Sequence, residues 1–257
     1  MESKNVINSG KKIKKLNIIK SKNKFINIKS NYFIQKVFDI IQKRIPFEII
    51  KYNTNIQKRL NININNYKEF CENFSSIDLE IIPNQNKYGY FININEENKK
   101  YFHIYFNDNK EEIEKTYLNK ENKVFKINII IDYQIKSFSE LFSYCKCIES
   151  INFKKFNRIN ITDMSHMFAW CTSLEEINLS NFNTEKVYDM RFMFYDCQSL
   201  KKLNIINFNI CHCSNMTKMF YNCLSIEELN ISNSFYIESK HRIDTCLPDE
   251  SKLKIKN

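Results

Sequence analysis

Apolar and polar positions alternate with several different periods along the chain, and the most regular stretch repeats every 26 residues. Ile161 to Lys186 reads ITDMSHMFAWCTSLEEINLSNFNTEK, and VYDMRFMFYDCQSLKKLNIINFNICH follows in register. A third copy begins at Cys213 and a more diverged one precedes them from Ile135, so residues 135–238 hold four units. In the second unit Met164, Met167, Phe168 and Cys171 are spaced i, i+3, i+4, i+7, which predicts one apolar face on a short helix or helical turn. Leu174, Ile177 and Leu179, with polar residues between them, then predict a short strand, and Phe182 closes the unit. Each unit opens on Ser137, Asp163, Asp189 or Asn215, whose short side chains suit a helix N-cap.

One such unit is too small to bury its own apolar side. Stacking is therefore predicted, with neighbouring strands parallel and the Met, Phe and Cys positions sharing one interior. Phe125 and Ile127 sit one period before Ile151 and Phe153 and are expected to supply the first strand. Leu253 and Ile255 repeat the spacing of Leu229 and Ile231 after 24 residues, and Ser234 replaces the closing Phe, as expected of a degenerate last unit. The predicted class is α/β, a solenoid of parallel strands plus short helices, with an α+β N-terminal region.

Upstream, residues 31–70 read as helical. Phe33, Val37, Ile40 and Ile41 mark one helix over Asn31–Lys43, Pro46 opens a second through Ile50 and Tyr52, and a third spans Asn55–Leu60. Residues 71–134 read as β-rich, with Tyr88, Tyr90, Ile92 and Ile94 on one face and Phe102, Ile104 and Phe106 following the polar NEENKK, the pattern of a hairpin or meander. Residues 107–123 are charged and predict a loop or short helix, and residues 239–257 a capping strand and tail.

The repeats resemble the BspA-like leucine-rich repeat family, whose unit has the pattern D-M-S-x-M-F-x-x-C-x-S-L-x-x-L-N-L-S-x-F-N-T, matched here by DMSHMFAWCTSLEEINLSNFNT at Asp163 to Thr184. The resemblance covers residues 135–238 and implies a leucine-rich repeat solenoid that binds other proteins. Known members are often surface proteins, so a BspA-like adhesin is an implied alternative role. Residues 31–70 look like an F-box, although they lack its Leu-Pro opening, and that resemblance implies docking on a ubiquitin-ligase adaptor as a substrate receptor.

Charge changes the picture less than its size suggests. Of the net +10, residues 1–30 contribute +8 through nine lysines and the single acid Glu2, so this leader is expected to be a disordered basic tail and the body is close to neutral. KKIKK suits nuclear import or nonspecific phosphate contact, but no ordered aromatic scaffold accompanies it, and nucleic acid is not the expected partner. The N-terminus has no secretory apolar segment and no apolar run reaches the roughly 18 residues of a membrane span, so the expected location is cytoplasmic, with reduced thiols.

Chemistry is sparse. Gly10 and Gly89 are isolated, so neither a P-loop nor a dinucleotide fingerprint is present. His103, His166, His212 and His241 fall in unrelated contexts. Cys145, Cys171, Cys197 and Cys223 recur every 26 residues, which predicts a buried ladder rather than a metal cluster, and Cys211, His212 and Cys213 lack a paired C-x-x-C. No catalytic, cofactor or metal residues are expected. The expected function is a non-enzymatic scaffold that binds a protein partner on the outward sheet face, through Asn152, Glu176, Asn178, Lys202, Asn204, Ile206, Glu228 and Asn230. On that face Glu176, Lys202 and Glu228 are expected to pair across strands, as are Glu175, Lys201 and Glu227. The four Asn are expected to hydrogen-bond along the stack.

Overall fold

A computed structural model describes residues 54–59, 65, 75–156, 158–240 and 247–256. Two units are distinguished, Met1–Cys71 and Glu72–Asn257. In the first, helix α1 spans Thr54–Arg59 and coincides with the third helix read from the sequence. The leader and the two helices expected between residues 31 and 52 lie outside the described residues.

The second unit is built on one mixed sheet of eight strands in the order β10-β9-β8-β7-β6-β1-β5-β3. In chain order these are β1 (Ile77–Pro83), β3 (Phe102–Phe106), β5 (Ile127–Ile131), β6 (Ile148–Lys155), β7 (Glu176–Asn178), β8 (Lys202–Asn204), β9 (Glu228–Ser232) and β10 (Leu253–Lys256). Two short strands, β2 (Gly89–Tyr90) and β4 (Tyr117–Leu118), form a separate pair. Strands β6 to β10 are parallel. Ile151, Ile177, Leu203 and Leu229 face one another across successive strands at the 26-residue period, each buried between exposed or half-buried neighbours. Leu253 pairs with Leu229 and Ile255 with Ile231, so the shortened last unit ends the parallel ladder as the sequence spacing predicts. Helix α2 (Asn233–Lys240) fills the connection before it, started by Ser232 Oγ accepting from Phe235 N at 3.1 Å, and buries Phe235 one residue beyond the missing closing Phe.

The Met/Phe/Cys stripe is buried, but it is not helical. Each repeat takes left-handed backbone at two positions four residues apart: Glu140 and Tyr144, His166 and Trp170, Phe192 and Asp196, Lys218 and Asn222, with φ between 50° and 60°. Such φ values interrupt any right-handed helix and are strained for non-glycine residues. Hydrogen bonding offsets the strain. In the second repeat Met167, Ala169 and Cys171 close turns on the residues three before them, while the N–H groups between them cross to the next repeat: Met164 to Asp189 O, His166 to Arg191 O, Phe168 to Met193 O and Trp170 to Tyr195 O, at 2.7–2.9 Å. A helix would direct the N–H groups beyond its first turn to its own carbonyls. The turn chain instead gives every second one to its neighbour and so extends the ladder beyond the strands. The expected N-cap column takes part: Asp163, Asp189 and Asn215 accept from the N–H two residues on at 2.9–3.0 Å, as Asx turns.

This regular stacking aligns the interior rings. Phe142, Phe168, Phe194 and Phe220 stack nearly parallel with centroids 5.5–5.7 Å apart. The cysteine ladder runs beside them, with Cys171, Cys197 and Cys223 donating Sγ–H to Phe142 O, Phe168 O and Phe194 O at 2.9–3.0 Å. Burial pushes the Cys171 and Cys197 thiols well up and Cys223 to about 12, so these groups stay protonated and act as packing atoms.

The N-terminal end of the sheet departs from the sequence reading. Phe125 is 58% exposed, and β5 does not precede β6 in the parallel ladder. Strand β1 lies there instead, antiparallel, with Leu79 opposite Phe153 and Ile81 opposite Ile151. Alternation shows which face of a strand is apolar but not which neighbour it pairs with, and the 26-residue offset of Phe125 from Ile151 was coincidental. The expected hairpin is also revised: β3 pairs with β5, and consecutive burial of Phe91 and Ile92 breaks the alternation, leaving Tyr88 and Tyr90 exposed. Residues 107–123 form turns and β4, with no helix. Arg158, fully buried, ties this end together by donating from Nε to Asn160 Oδ1 at 2.9 Å, from Nη1 to Asp132 O at 3.0 Å and from Nη2 to Ile135 O.

On the outer strand β3, His103 Nδ1 lies 2.9 Å from Glu112 Oε1 and Nε2 lies 3.6 Å from Asp132 Oδ2. Partial burial lowers its pKa, but the hydrogen bond and charge of Glu112, joined by Asp132, outweigh this and leave it raised above 6.5. The imidazolium thus contributes stability that is full below the unfolded value of about 6.5 and is lost as pH rises through the raised folded value. Thermal melts from pH 5 to 9 are expected to show wild type losing its advantage over His103→Gln across the neutral range. Parallel profiles would mean that these pairs do not form.

Candidate functional site

The eight residues expected to bind a partner all lie on the outward side of β6–β9 or just beyond it. Asn152, Glu176, Asn178 and Lys202 are exposed, whereas Asn204, Ile206, Glu228 and Asn230 are half-buried. Glu176, Lys202 and Glu228 share one register column. Of the charge pairs expected across strands, Lys201 Nζ meets Glu175 Oε2 at 2.8 Å, but among the described residues Lys202 forms no ion pair with Glu176 or Glu228, and Glu228 Oε2 instead takes Lys254 Nζ of β10 at 3.2 Å. Asn230 and Lys254 together hold the Glu228 carboxyl below the usual range. The amide column does not bond along the stack as expected. Asn178 Oδ1 accepts from Ser180 N and Asn204 Oδ1 from Ile206 N, at 3.0 and 3.2 Å, while Asn230 Nδ2 donates to Glu228 Oε1. An Asn at a strand end satisfies the N–H two residues on at little entropic cost, and that local bond wins over a contact to the next repeat. Much of this face is therefore already partnered.

The turn side of the repeats presents a different surface. Tyr144 and Trp170 stack with centroids 4.4 Å apart at 9°, Trp170 and Tyr195 lie 5.0 Å apart, and Tyr195 and Tyr221 stack at 5.1 Å and 14°. Phe192 lies 5.3 Å from Tyr195 and stacks on His166 at 4.8 Å, and Lys218 Nζ sits 5.5 Å from the Tyr221 centroid. These rings form a continuous ridge across four repeats, and its end members Tyr144 and Tyr221 are 56% and 44% exposed. Tyr144, Trp170 and Phe192 occupy left-handed positions and stay exposed or half-buried, as do Tyr195 and Tyr221 just before Asp196 and Asn222, whereas the residues that follow, Cys145, Cys171, Met193, Cys197 and Cys223, are buried in the stripe. The sequence reading missed it because the rings come from two adjacent columns, Tyr144 and Trp170 from one and Tyr195 and Tyr221 from the next, so no single column is aromatic throughout.

Ligand chemistry elsewhere is limited. Cys211 Sγ and His212 Nδ1 are 3.0 Å apart on the surface, while Cys213 is buried and donates to Asn215 O at 3.3 Å, so the three do not converge. Among the described residues no group of three or more His, Cys, Asp or Glu is placed to hold a metal ion, and no helix is long and apolar enough to cross a membrane. An open polar cleft of about 670 Å³ lies at the strand ends between Lys155, Ser180, Asn181, Asn183 and Asn207.

No curated protein and no solved structure matches the chain. Residues 136–253, the span from the first turn segment to the start of β10, match a protein-family model described as "Mycoplasma protein of unknown function, DUF285".

Proposed function

We propose that residues 135–238 are a leucine-rich-repeat-type solenoid of the BspA-like kind, and that the chain is a non-enzymatic scaffold which meets a protein partner through its aromatic ridge. The observation behind this reading is the ridge itself. Tyr and Trp leave large apolar area in water while keeping polar tips, and such residues dominate the energetics of protein interfaces. The repeats hold them in a fixed row, so little ordering would remain for binding to supply. The strand face is the weaker candidate, because its Lys201 and Lys254 already pair with Glu175 and Glu228.

Affinity purification with three full-length proteins separates the two faces. A ridge variant carries Tyr144→Ser, Trp170→Ser, Tyr195→Ser and Tyr221→Ser, and a strand-face variant carries Glu176→Lys, Lys202→Glu and Glu228→Lys. With folding checked by melting, partners retained by wild type are expected to be lost from the ridge variant and kept by the other. Retention by the ridge variant and loss from the strand-face variant would move the site to the sheet. Retention by both would place the partner on neither the ridge nor the strand face.

A further inference from the structure

The turn ladder has an unfinished edge at its N-terminal end. Within the repeats, alternate carbonyls of each turn segment accept N–H groups from the preceding one: Asp163 O takes Phe138 N at 2.8 Å and Ser165 O takes Glu140 N at 3.0 Å. The first segment has the same four acceptors, Ser137 O, Ser139 O, Leu141 O and Ser143 O, but no repeat before it. A single residue fills half of that gap. Asn93 N donates to Leu141 O at 2.8 Å, and Asn93 Nδ2 reaches Ser143 O at 2.7 Å and Glu140 O at 2.9 Å. Among the described residues no donor reaches Ser137 O or Ser139 O. Both residues are exposed, so water can satisfy these carbonyls in the free protein.

Ser137 and Ser139 line a cleft of about 530 Å³ between this edge and the segment preceding β3. Ile94, Phe102, Ile135 and Leu141 supply apolar wall, and among the described lining residues Glu140 alone is charged. No ion pair to Glu140 is formed among the described residues. Ser137 is already in ladder geometry, bridged in parallel to Asp163 on its other side.

We propose that this cleft binds an extended peptide segment of a partner protein as an added rung of the ladder. Backbone N–H groups of peptide residues i and i+2 donate to Ser137 O and Ser139 O, as Phe138 and Glu140 donate to the next repeat. An apolar side chain enters between Ile94, Phe102, Ile135 and Leu141, and a Lys or Arg of the peptide meets Glu140. Main-chain pairing supplies affinity and the two side-chain contacts supply choice, the division of labour in strand addition to an open edge. This site is separate from the aromatic ridge and stands whichever face of the repeats binds.

The test selects a phage-displayed library of random 12-residue linear peptides on the full chain and measures synthesised winners by fluorescence polarisation. Glu140→Lys is the discriminating variant. Its fold should survive, because Lys218 holds the same repeat position at φ 50° where Glu140 has φ 58°. Selected peptides are expected to share an apolar residue beside a Lys or Arg, and to weaken on the order of tenfold with Glu140→Lys. N-methylation of two alternate backbone amides should each weaken binding similarly, while methylation of the amide between them should not. Failure to enrich any sequence overturns the proposal, as do peptides indifferent to both changes or lost only with the ridge variant. A concentration-dependent dimer broken by Glu140→Lys would assign the cleft to a second copy and overturn it as well.

Discussion

Met193→Asp is expected to abolish the cooperative folding of the repeats. Met193 is fully buried, its carbonyl accepts from Phe168 N of the preceding repeat, and it belongs to the interior that all the repeats share. The substitution removes a core side chain, worth about 2–5 kcal/mol, and puts an unpaired carboxylate in its place at about 3–5 kcal/mol more. Together these approach or exceed the about 5–15 kcal/mol that holds a typical domain folded. Circular dichroism melts should show no cooperative transition for Met193→Asp and a weakened but distinct one for Met193→Leu, which keeps volume and polarity. A Met193→Asp protein melting like wild type would place this residue outside the core.

Phe168→Ala should give the next largest loss. Phe168 stacks on Phe142 and Phe194 at 5.5 Å on each side, so its removal opens a gap in the middle of a column that rigid neighbouring repeats cannot easily close. A cost of about 3–5 kcal/mol is expected by chemical denaturation. Trp170→Ala, two residues away on the ridge, should cost about 1 kcal/mol or less, because that ring is partly solvated and its backbone N–H bond to Tyr195 O is unaffected. Equal losses at the two positions would contradict the assignment of one ring to the interior and the other to the surface.

Residue spacing alone revealed the 26-residue register of the parallel strands, the buried columns and the last strand, because a pattern repeated at fixed period leaves each side chain one consistent environment. It could not reveal the backbone between the strands. Positions i, i+3, i+4 and i+7 face one way on a helix, and they also do so on a chain of turns with left-handed residues every fourth position. With two glycines in the whole chain, nothing in the composition marked Glu140, His166, Phe192 or Lys218 as left-handed. The end of the sheet was opaque for a related reason: β1 and β5 both alternate, and only tertiary pairing places β1 beside β6. The expected site residues lie on β6 to β9 or just beyond them, four exposed and four half-buried. The pairing of Lys201 with Glu175 follows the expectation; what the sequence did not show was that Asn178 and Asn204 bond to their own chain and that Glu228 is held by Asn230 and Lys254. Partnering of polar groups depends on distances that a column of letters does not contain.

Pulsed electron paramagnetic resonance between nitroxides at Asn152→Cys and Asn230→Cys tests the in-register stacking most directly, in a full chain with Cys71, Cys211 and Cys246 changed to Ser. These positions are 78 residues apart in sequence but only three strand spacings apart in the ladder, through Asn178 and Asn204. The stack predicts a narrow distribution centred near 15–20 Å, from about 4.8 Å per strand plus the label arms. A broad distribution centred beyond about 30 Å, as an unstacked chain of that length would give, would contradict it.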